Sequence, residues 1–370
     1  MHVLITGGAG FIGSHVADEL LRSGYKVRAI DNLRGQVHGP NAKRPAYLDD
    51  RVEFVHGDVR DVRAMESALA GVDAVVHLAA AVGVGQSMYE IAEYTSINGL
   101  GTAVLMEALS KRPVSRLVVA SSMSIYGEGL YKASDGTLHD DVERSRKQLA
   151  AGDWEVRAGD GQALAPVPTR ESKRARVSSI YALSKYDQER MCLICGSARG
   201  IPTVALRLFN TYGPRQALSN PYTGVLAIFG ARLLNKNRPL VFEDGKQQRD
   251  FVSVYDVANA FRLALESDVA RGHAINVGSG RPITVRALAQ RLADSLGCSR
   301  IEPQVTGKHR VGDVRHCFAD VRQAKSLLGY EPRVTLEEGL REYTKWLSNQ
   351  QAADRVDDAS RELDARGLTI

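Results

Sequence analysis

A tyrosine and a lysine four residues apart, Tyr181 and Lys185 in Tyr181-Ala-Leu-Ser-Lys185, share one face of a helix, where an ammonium can sit near a phenol. An ordinary phenol titrates at about 10, so it serves as a base near neutrality only where positive charge stabilises the phenolate. Ser122, within Ser121-Ser122-Met123-Ser124-Ile125-Tyr126-Gly127, adds a hydroxyl able to bond a substrate alcohol and steady the alkoxide developing on it. Tyr-x-x-x-Lys alone is common in helices, and it becomes a catalytic signal only in company.

That company stands at the N-terminus. The apolar run Val3-Leu4-Ile5-Thr6 leads into Gly7-Gly8-Ala9-Gly10-Phe11-Ile12-Gly13, followed by a helical pattern through Phe11, Ile12, Val16, Leu20 and Leu21, with Gly24 placed to end it. In such a strand, turn and helix, Gly7 takes the tight turn and Gly10 admits a pyrophosphate to the backbone. Gly13 lets helix pack on strand, and the phosphates meet the helix N-terminus. The plainer alternative is an ordinary tight turn. A second strand, Tyr25 to Ile30, ends in Asp31 with Asn32 beside it. A carboxylate there accepts hydrogen bonds from ribose hydroxyls and repels a 2′-phosphate, which favours NAD over NADP. Arg34 is the nearby residue that would accommodate such a phosphate.

The elements that position these groups alternate in type. Further strands are expected at Val52 to His56, Ala74 to His77, Arg116 to Ser121 and Thr203 to Phe209, with helices between them. The fold class is α/β: a Rossmann-type doubly wound parallel sheet followed by a smaller C-terminal α/β substrate domain. The expected division is 1–210 for the dinucleotide-binding domain and 211–348 for the substrate domain, with 251–276 returning to the first. A charged tail, 349–370, follows, and no function is assigned to it. Asp58 and Val59, and Leu78, Ala79 and Ala80, fall just past strand ends, where ligands of open α/β sheets bind. Asp58 and Val59 would meet adenine; for Leu78 to Ala80, plain close packing serves equally. Asn98 is a cofactor-site candidate whose alternative role is to cap a helix from Gly99 to Leu109.

Composition limits the other possibilities. At 370 residues, with 44% hydrophobic and 25% charged content, the chain can bury a large core. The first residues run directly into a strand and no apolar stretch approaches a membrane span, so a cytoplasmic enzyme without membrane contact is expected. Four cysteines make no disulfide framework. Cys192 and Cys195 continue the helix begun near Tyr181 and read as small buried hydrophobes rather than metal ligands. The net charge of +5 suits anionic substrates such as nucleotides, but no aromatic-interleaved basic tract points to nucleic acid.

With these motifs assembled, the chain resembles the extended short-chain dehydrogenase/reductase family, and within it the sugar-nucleotide epimerases and dehydratases, over about residues 1 to 348. Asn210-Thr-Tyr-Gly-Pro-Arg215, Arg249-Asp-Phe-Val252, Asn276-Val-Gly-Ser-Gly280 and Gly312-Asp-Val-Arg315-His316 look like the sugar-nucleotide half of that family. The resemblance implies Ser122, Tyr181 and Lys185 as catalytic residues and NAD as cofactor. It implies Asn210, Arg249 and Arg315 on the substrate's diphosphate, since guanidinium forks suit a diphosphate. It places Val241 and Phe242 beside the base, with Val84, Ser122, Ser124, Gly224 and Val225 also on the substrate. No metal is implied. A homodimer, paired through the helices after Asn98 and around Tyr181, is implied by resemblance only.

Which reaction follows turns on the residues after Ser122. Hexose 4,6-dehydratases of the family carry an Asp-Glu pair there as acid and base; here Met123 and Ser124 stand in those positions. Methionine cannot deliver a proton, so reversible 4-epimerisation is the simpler chemistry. Val82 to Ile91 and Arg215 to Val225 resemble segments of the dTDP-L-rhamnose 4-epimerases. UDP-sugar 4-epimerases, a sugar-nucleotide reductase or an atypical dehydratase are same-fold alternatives, and a non-catalytic dinucleotide-binding protein is the alternative of a different class. Between Ser122 and Tyr181 lies an insert, about 128–176, polar and without cysteine. It reads as a flap beside the sugar site or as a solvated surface excursion.

Tyr181→Phe is expected to leave NAD and sugar-nucleotide binding largely intact while turnover collapses. Retained turnover in a rapid-quench assay of that variant would show that another group is the base.

Overall fold

The computed structural model describes residues 1–370. Seven parallel strands form the central sheet, in the order Ala274–Val277, Thr203–Leu208, β5 (Arg116–Ser122), β4 (Ala74–His77), β1 (His2–Thr6), β2 (Lys26–Asp31), β3 (Glu53–His56). The chain runs outward from β1 to β3, then crosses back to place β4 on β1's other side. A crevice opens at that reversal, outside the carboxyl ends of β1 and β4.

Successive side chains on a strand point to opposite faces, and here both faces are covered. Val3, Ile5, Ala74, Val76, Val118, Ala120, Val204 and Leu206 join one apolar core; Leu4, Val75, Leu117, Val119 and Ala205 join the other. The first core is closed by α1 (Phe11–Arg22) and helix Val254–Glu266, the second by helices Gly101–Lys111 and Ile180–Ala198. Strand Ala274–Val277 is the sheet's outermost member beside Thr203–Leu208, so the chain does return to this sheet after residue 251.

Helix Ile180–Ala198 carries Tyr181 in its first turn. The Ser179 hydroxyl caps it by accepting from Ala182 N at 3.1 Å. Its buried stripe is Ala182, Lys185, Gln188, Glu189, Cys192 and Gly196. Glu189 is the anchor: both carboxylate oxygens accept from Arg207 on the neighbouring strand, at 2.9 and 2.7 Å, and one also from Ser121 Oγ at 2.6 Å. Thus the helix bearing Tyr181 and Lys185 is fixed to the end of β5, one residue before Ser122.

A third core, with Tyr212, Leu226, Phe229, Val241, Phe251, Leu288, Leu292, Leu340 and Tyr343, fills the C-terminal lobe. The 128–176 insert is a small body of its own. Strands Leu130–Lys132, Leu138–His139 and Ala165–Val167 make an antiparallel sheet over Tyr131, Val142, Val156 and Leu164. The tail folds back as helix Val356–Ala365. No helix is long and apolar enough to cross a membrane.

One expected boundary differs. No helix begins at Gly99; helical backbone runs from Ile91 to Lys111, with a π-helical turn at Thr95–Leu100. Asn98 therefore lies inside it and caps nothing. The extra residue of the π turn turns its side chain inward, a device common beside functional sites.

Glu189 is fully buried and Arg207 nearly so. Glu189→Ala would leave a guanidinium buried without its partner, at a cost of about 3–5 kcal/mol. The expected drop in the urea midpoint would be absent if the pair were solvated.

Candidate active site

Two cavities meet inside the cleft. One, about 350 Å³, is lined by Gly7, Gly10, Phe11, Ile12, Gly13, Asp31, Asn32, Asp58, Val59, Leu78, Ala79, Ala80 and Lys185 among others. The second, about 370 Å³, is lined by Val84, Ser124, Asn210, Val225, Phe242, Arg249 and residues around them. Ser122, Tyr181, Thr223 and Gly224 border both. The hydroxyls singled out in the sequence stand at the junction.

The first cavity is shaped for a dinucleotide. A Cβ on Gly13 would lie 2.2 Å from the Gly7 carbonyl oxygen, and one on Gly7 would lie 2.9 Å from Ala79 N. Any side chain at either position would collide with backbone. Gly10 offers no side-chain cap to α1, so first-turn N–H groups lack intrahelical acceptors and can serve an anion. Asp31 ends β2 with its carboxylate accepting from Ala9 N at 3.1 Å and Leu33 N at 2.9 Å, which ties the glycine turn to the ribose end of the cavity. Arg34 also lines this cavity, with its guanidinium 3.7 Å from both Glu90 and Glu93. Arg60 grips Asp58 with two bonds, at 2.9 and 2.7 Å, and Asn32 Nδ2 donates to it at 3.0 Å. The Arg60 hydrogen bonds, against partial burial, hold the Asp58 carboxyl at about 2. These residues fit NAD.

At the junction, Ser122 Oγ accepts from Ser124 N at 3.1 Å and Ser124 Oγ at 2.9 Å, so its own proton is left for a further partner. Burial pushes the Tyr181 phenol above its ordinary pKa, while a hydrogen bond with Ser122 pulls it down. Tyr181 N donates to Ser87 Oγ at 3.0 Å, which fixes the helix start. Lys185 Nζ donates to Gln188 Oε1 at 2.7 Å. Burial lowers its pKa to about 8, with Cys192 and Glu189 opposing. Gln188 Nε2 donates in turn to Thr102 Oγ1 at 2.9 Å, and Thr102 Oγ1 lies 2.9 Å from His77 Nε2. His77 Nδ1 lies 2.7 Å from Thr6 Oγ1. Burial takes His77 down to about 3, so the imidazole is a neutral member of this chain.

Several expected site residues lie elsewhere. Asn98 does not line the cavity; it stands behind it, accepting from Ala81 N at 2.7 Å and donating to Ala81 O and Ser184 Oγ at 3.1 and 2.8 Å. It shapes the loop that does. Val241 is fully buried in the C-terminal core, because alternation on its strand turns Leu240 and Phe242 to the cleft instead. Arg315 is not in the cleft either. Its guanidinium is fully buried against Glu243 at 2.9 Å, Asp244 at 2.6 and 3.0 Å and Glu155 of the insert at 2.5 Å. Four carboxylate contacts leave it no call on a diphosphate. Arg310 occupies the cleft wall instead, over the Phe242 ring at 5.4 Å and paired with Asp313 at 2.9 Å. Its place in Arg310-Val-Gly-Asp313, beside a motif already singled out, was the available signal.

Arg249 does line the substrate cavity, with its guanidinium held by the carbonyls of Gln248, Val314 and Arg315. Asn210 Oδ1 is buried without a partner, an acceptor left for a ligand. The insert contributes no residue to the lining of either cavity. Its Glu128 accepts from Arg315 N and from Arg144 Nε at 3.0 Å, and Arg144 reaches Glu243 at 2.7 Å. It buttresses the segment carrying Arg315, just before strand His316–Cys317, from behind.

Residues 3–150 and 157–278 match the NAD dependent epimerase/dehydratase family. A dTDP-L-rhamnose 4-epimerase of Burkholderia thailandensis is 35% identical, covering 94% of this chain and 95% of that protein. The UDP-glucose 4-epimerase of Thermotoga maritima, solved with UDP-glucose, superposes with a TM-score of 0.75 at 32% identity, over 94% of this chain and 99% of that one. The Thermus thermophilus UDP-glucose 4-epimerase, solved with NAD, gives 0.75 at 30% identity with the same coverage.

The Lys185 environment has a pH signature. Between about 8, where the folded ammonium titrates, and its ordinary 10.5, the unfolded chain holds the extra proton, so stability rises with pH. Measured by urea unfolding without cofactor, wild type is expected to gain on Lys185→Met from pH 8 to 10, by at most about 1.4 kcal/mol per pH unit. A flat difference would mean the ammonium is solvated.

Proposed function

The chain belongs to the NAD-dependent epimerase/dehydratase family, and we propose that it is a sugar-nucleotide 4-epimerase acting on a dTDP-6-deoxyhexose such as dTDP-L-rhamnose. The observation that carries this reading is the meeting of a dinucleotide cavity and a diphosphate-sugar cavity on one pair of hydroxyls, Ser122 and Tyr181. The Gly7 to Gly13 turn, Asp31 and Asp58 would hold NAD, which would supply reversible hydride acceptance at the sugar's C4.

The chain's own residues do the rest. Tyr181 takes the proton of the C4 hydroxyl and gives it back. Ser122, hydrogen-bonded to Tyr181, orients that oxygen and stabilises charge on it. Arg249 and Arg310 supply guanidinium forks for the diphosphate, and Asn210 offers its unpartnered oxygen. Between the two half-reactions the ketosugar must turn over, which requires that the sugar be held less tightly than the nucleotide. Met123 is buried and carries no titratable group, so the elimination that defines 4,6-dehydratases lacks its acid here.

The preference for a deoxysugar rests on the wall near Ser122. Val82, Val84 and Met123 present apolar surface, and the charged lining residues of that cavity are Arg249, Arg310 and Asp313. A C5 methyl suits such a wall better than a carboxylate does. The relative from Burkholderia points the same way; a UDP-sugar is the second reading, favoured by the two solved neighbours. The enzyme is also proposed to be cytoplasmic and to pair as a homodimer through helices Gly101–Lys111 and Ile180–Ala198. Leu100, Leu183 and Ile194 are large apolar side chains exposed on or beside those helices.

Proton NMR of the purified protein incubated with dTDP-L-rhamnose, without added cofactor, tests the assignment. A 4-epimer is expected, with no NADH consumed. Conversion of UDP-glucuronate or UDP-N-acetylglucosamine in parallel tubes, and not of the thymidine sugar, would move the substrate to a UDP-sugar. Stoichiometric NADH consumption would make the protein a reductase.

A further inference from the structure

The C-terminal tail, charged in sequence and outside every motif, lies on the substrate cavity. Val356, Ala359, Ser360 and Leu363 line it. Their spacing of three, four and seven puts them on one stripe of helix Val356–Ala365. The opposite face is polar and exposed, with Asp357, Asp358, Arg361 and Asp364 in solvent. Ala359 and Leu363 are themselves buried. A Cβ on Gly85 would touch Leu363 at 3.3 Å and Arg310 Cδ at 3.7 Å, so Leu363 stands between the Val84 wall and the cleft arginine.

Fastening of the helix is specific. After it, the chain pairs with the segment that bears Arg310: His309 and Ile370 exchange backbone hydrogen bonds at 2.8 Å, and Val311 N donates to Leu368 O at 2.9 Å. Lys308 meets Asp364 at 2.9 Å. Before it, Asp354 accepts from Asn237 at 2.7 Å, and Arg232 reaches Asp357 at 2.8 Å. Beyond the helix, Arg366 lies over the Tyr89 ring at 4.2 Å. The tail thus spans the cleft from the 232–238 side to the 309–311 side and touches the Val82 to Ile91 segment between them.

We infer that residues 351–370 form a wall of the sugar-nucleotide site, with Leu363 packing directly on the bound molecule near its diphosphate-sugar linkage. This rests on the reading of the cavity as a nucleotide-diphosphate site. Because Arg310 sits between the two residues paired with the tail, the same segment also sets where that guanidinium points. Occupancy of the cavity and order in the tail are therefore coupled: a ligand that fills the space beneath the apolar stripe stabilises the helix.

The test uses the full chain with dTDP, and UDP in parallel, as calorimetric and hydrogen-exchange probes. Either nucleotide is expected to slow exchange at residues 356–370, including the Ile370 amide. Leu363→Asp is expected to weaken nucleotide binding and raise KM about tenfold with kcat little changed and NAD content intact. Leu363→Met should restore binding, and Arg361→Ala on the exposed face should behave as wild type. A purely structural Leu363 would alter melting without altering ligand-induced protection. Binding of a nucleotide with unchanged exchange in the tail, or with full affinity in Leu363→Asp, would overturn the inference alone. Protection by UDP only would keep it and shift the substrate. Failure of both nucleotides to bind would remove the diphosphate reading and this inference together.

Discussion

One buried chain of hydrogen bonds organises the site: Thr6 to His77 to Thr102 to Gln188 to Lys185. It begins at the end of β1, where the glycine turn starts, crosses the end of β4, and finishes on helix Ile180–Ala198. Every member is buried, so each polar group needs its partner, and a register shift in any element would strand one of them. Thr6 Oγ1 also accepts from Leu78 N and Ala79 N at 3.2 Å. The cofactor wall and the lysine are therefore located by the same few atoms, and neutral His77 passes the constraint along without bringing charge into the core.

Around that chain stand two ionic clamps. Glu189 and Arg207 bind helix Ile180–Ala198 to the sheet, and Arg207 Nη1 donates to Tyr126 Oη at 2.9 Å, which extends the clamp past Ser122. The second clamp, Arg144, Glu128, Glu243 and Arg315, joins the insert to the C-terminal lobe. Burial opposes ionisation of Glu243, yet His309 and the two arginines hold its carboxyl below the ordinary value. Such a cluster contributes little net stability, because desolvation offsets attraction. Its effect is positional: it holds the insert against the segment that carries Arg315, next to Arg310 and Asp313.

Motifs assigned to the substrate half divide similarly. Arg249 reaches the cavity, while its neighbour Asp250 is fully buried and binds Ser279 N, Gly280 N and Ala319 N at 2.8, 2.9 and 3.1 Å. Burial pushes that carboxyl up, and the backbone donors oppose it. Asn276 likewise accepts from Tyr126 Oη at 2.7 Å. Asp250 thereby ties strand Gln248–Ser253 to the loop that follows Ala274–Val277.

What the amino-acid sequence determined by itself is local. The Gly7 to Gly13 turn, the alternating apolar strands and the Tyr181 and Lys185 spacing follow from neighbours within a turn or a strand, where covalent geometry limits the choices. The parallel sheet and the cofactor cavity were legible for that reason. Tertiary structure alone decided which of two nearby arginines faces the cleft: Arg315 stands five positions after Arg310, and only the carboxylates brought in from 155, 243 and 244 bury the second. It alone decided that Asn98 braces a loop, that Val241 faces the core, and that Lys185 reaches Gln188. It also brought a polar-looking tail across the substrate cavity, because an amphipathic stripe shows that a helix must cover something but not what lies beneath it.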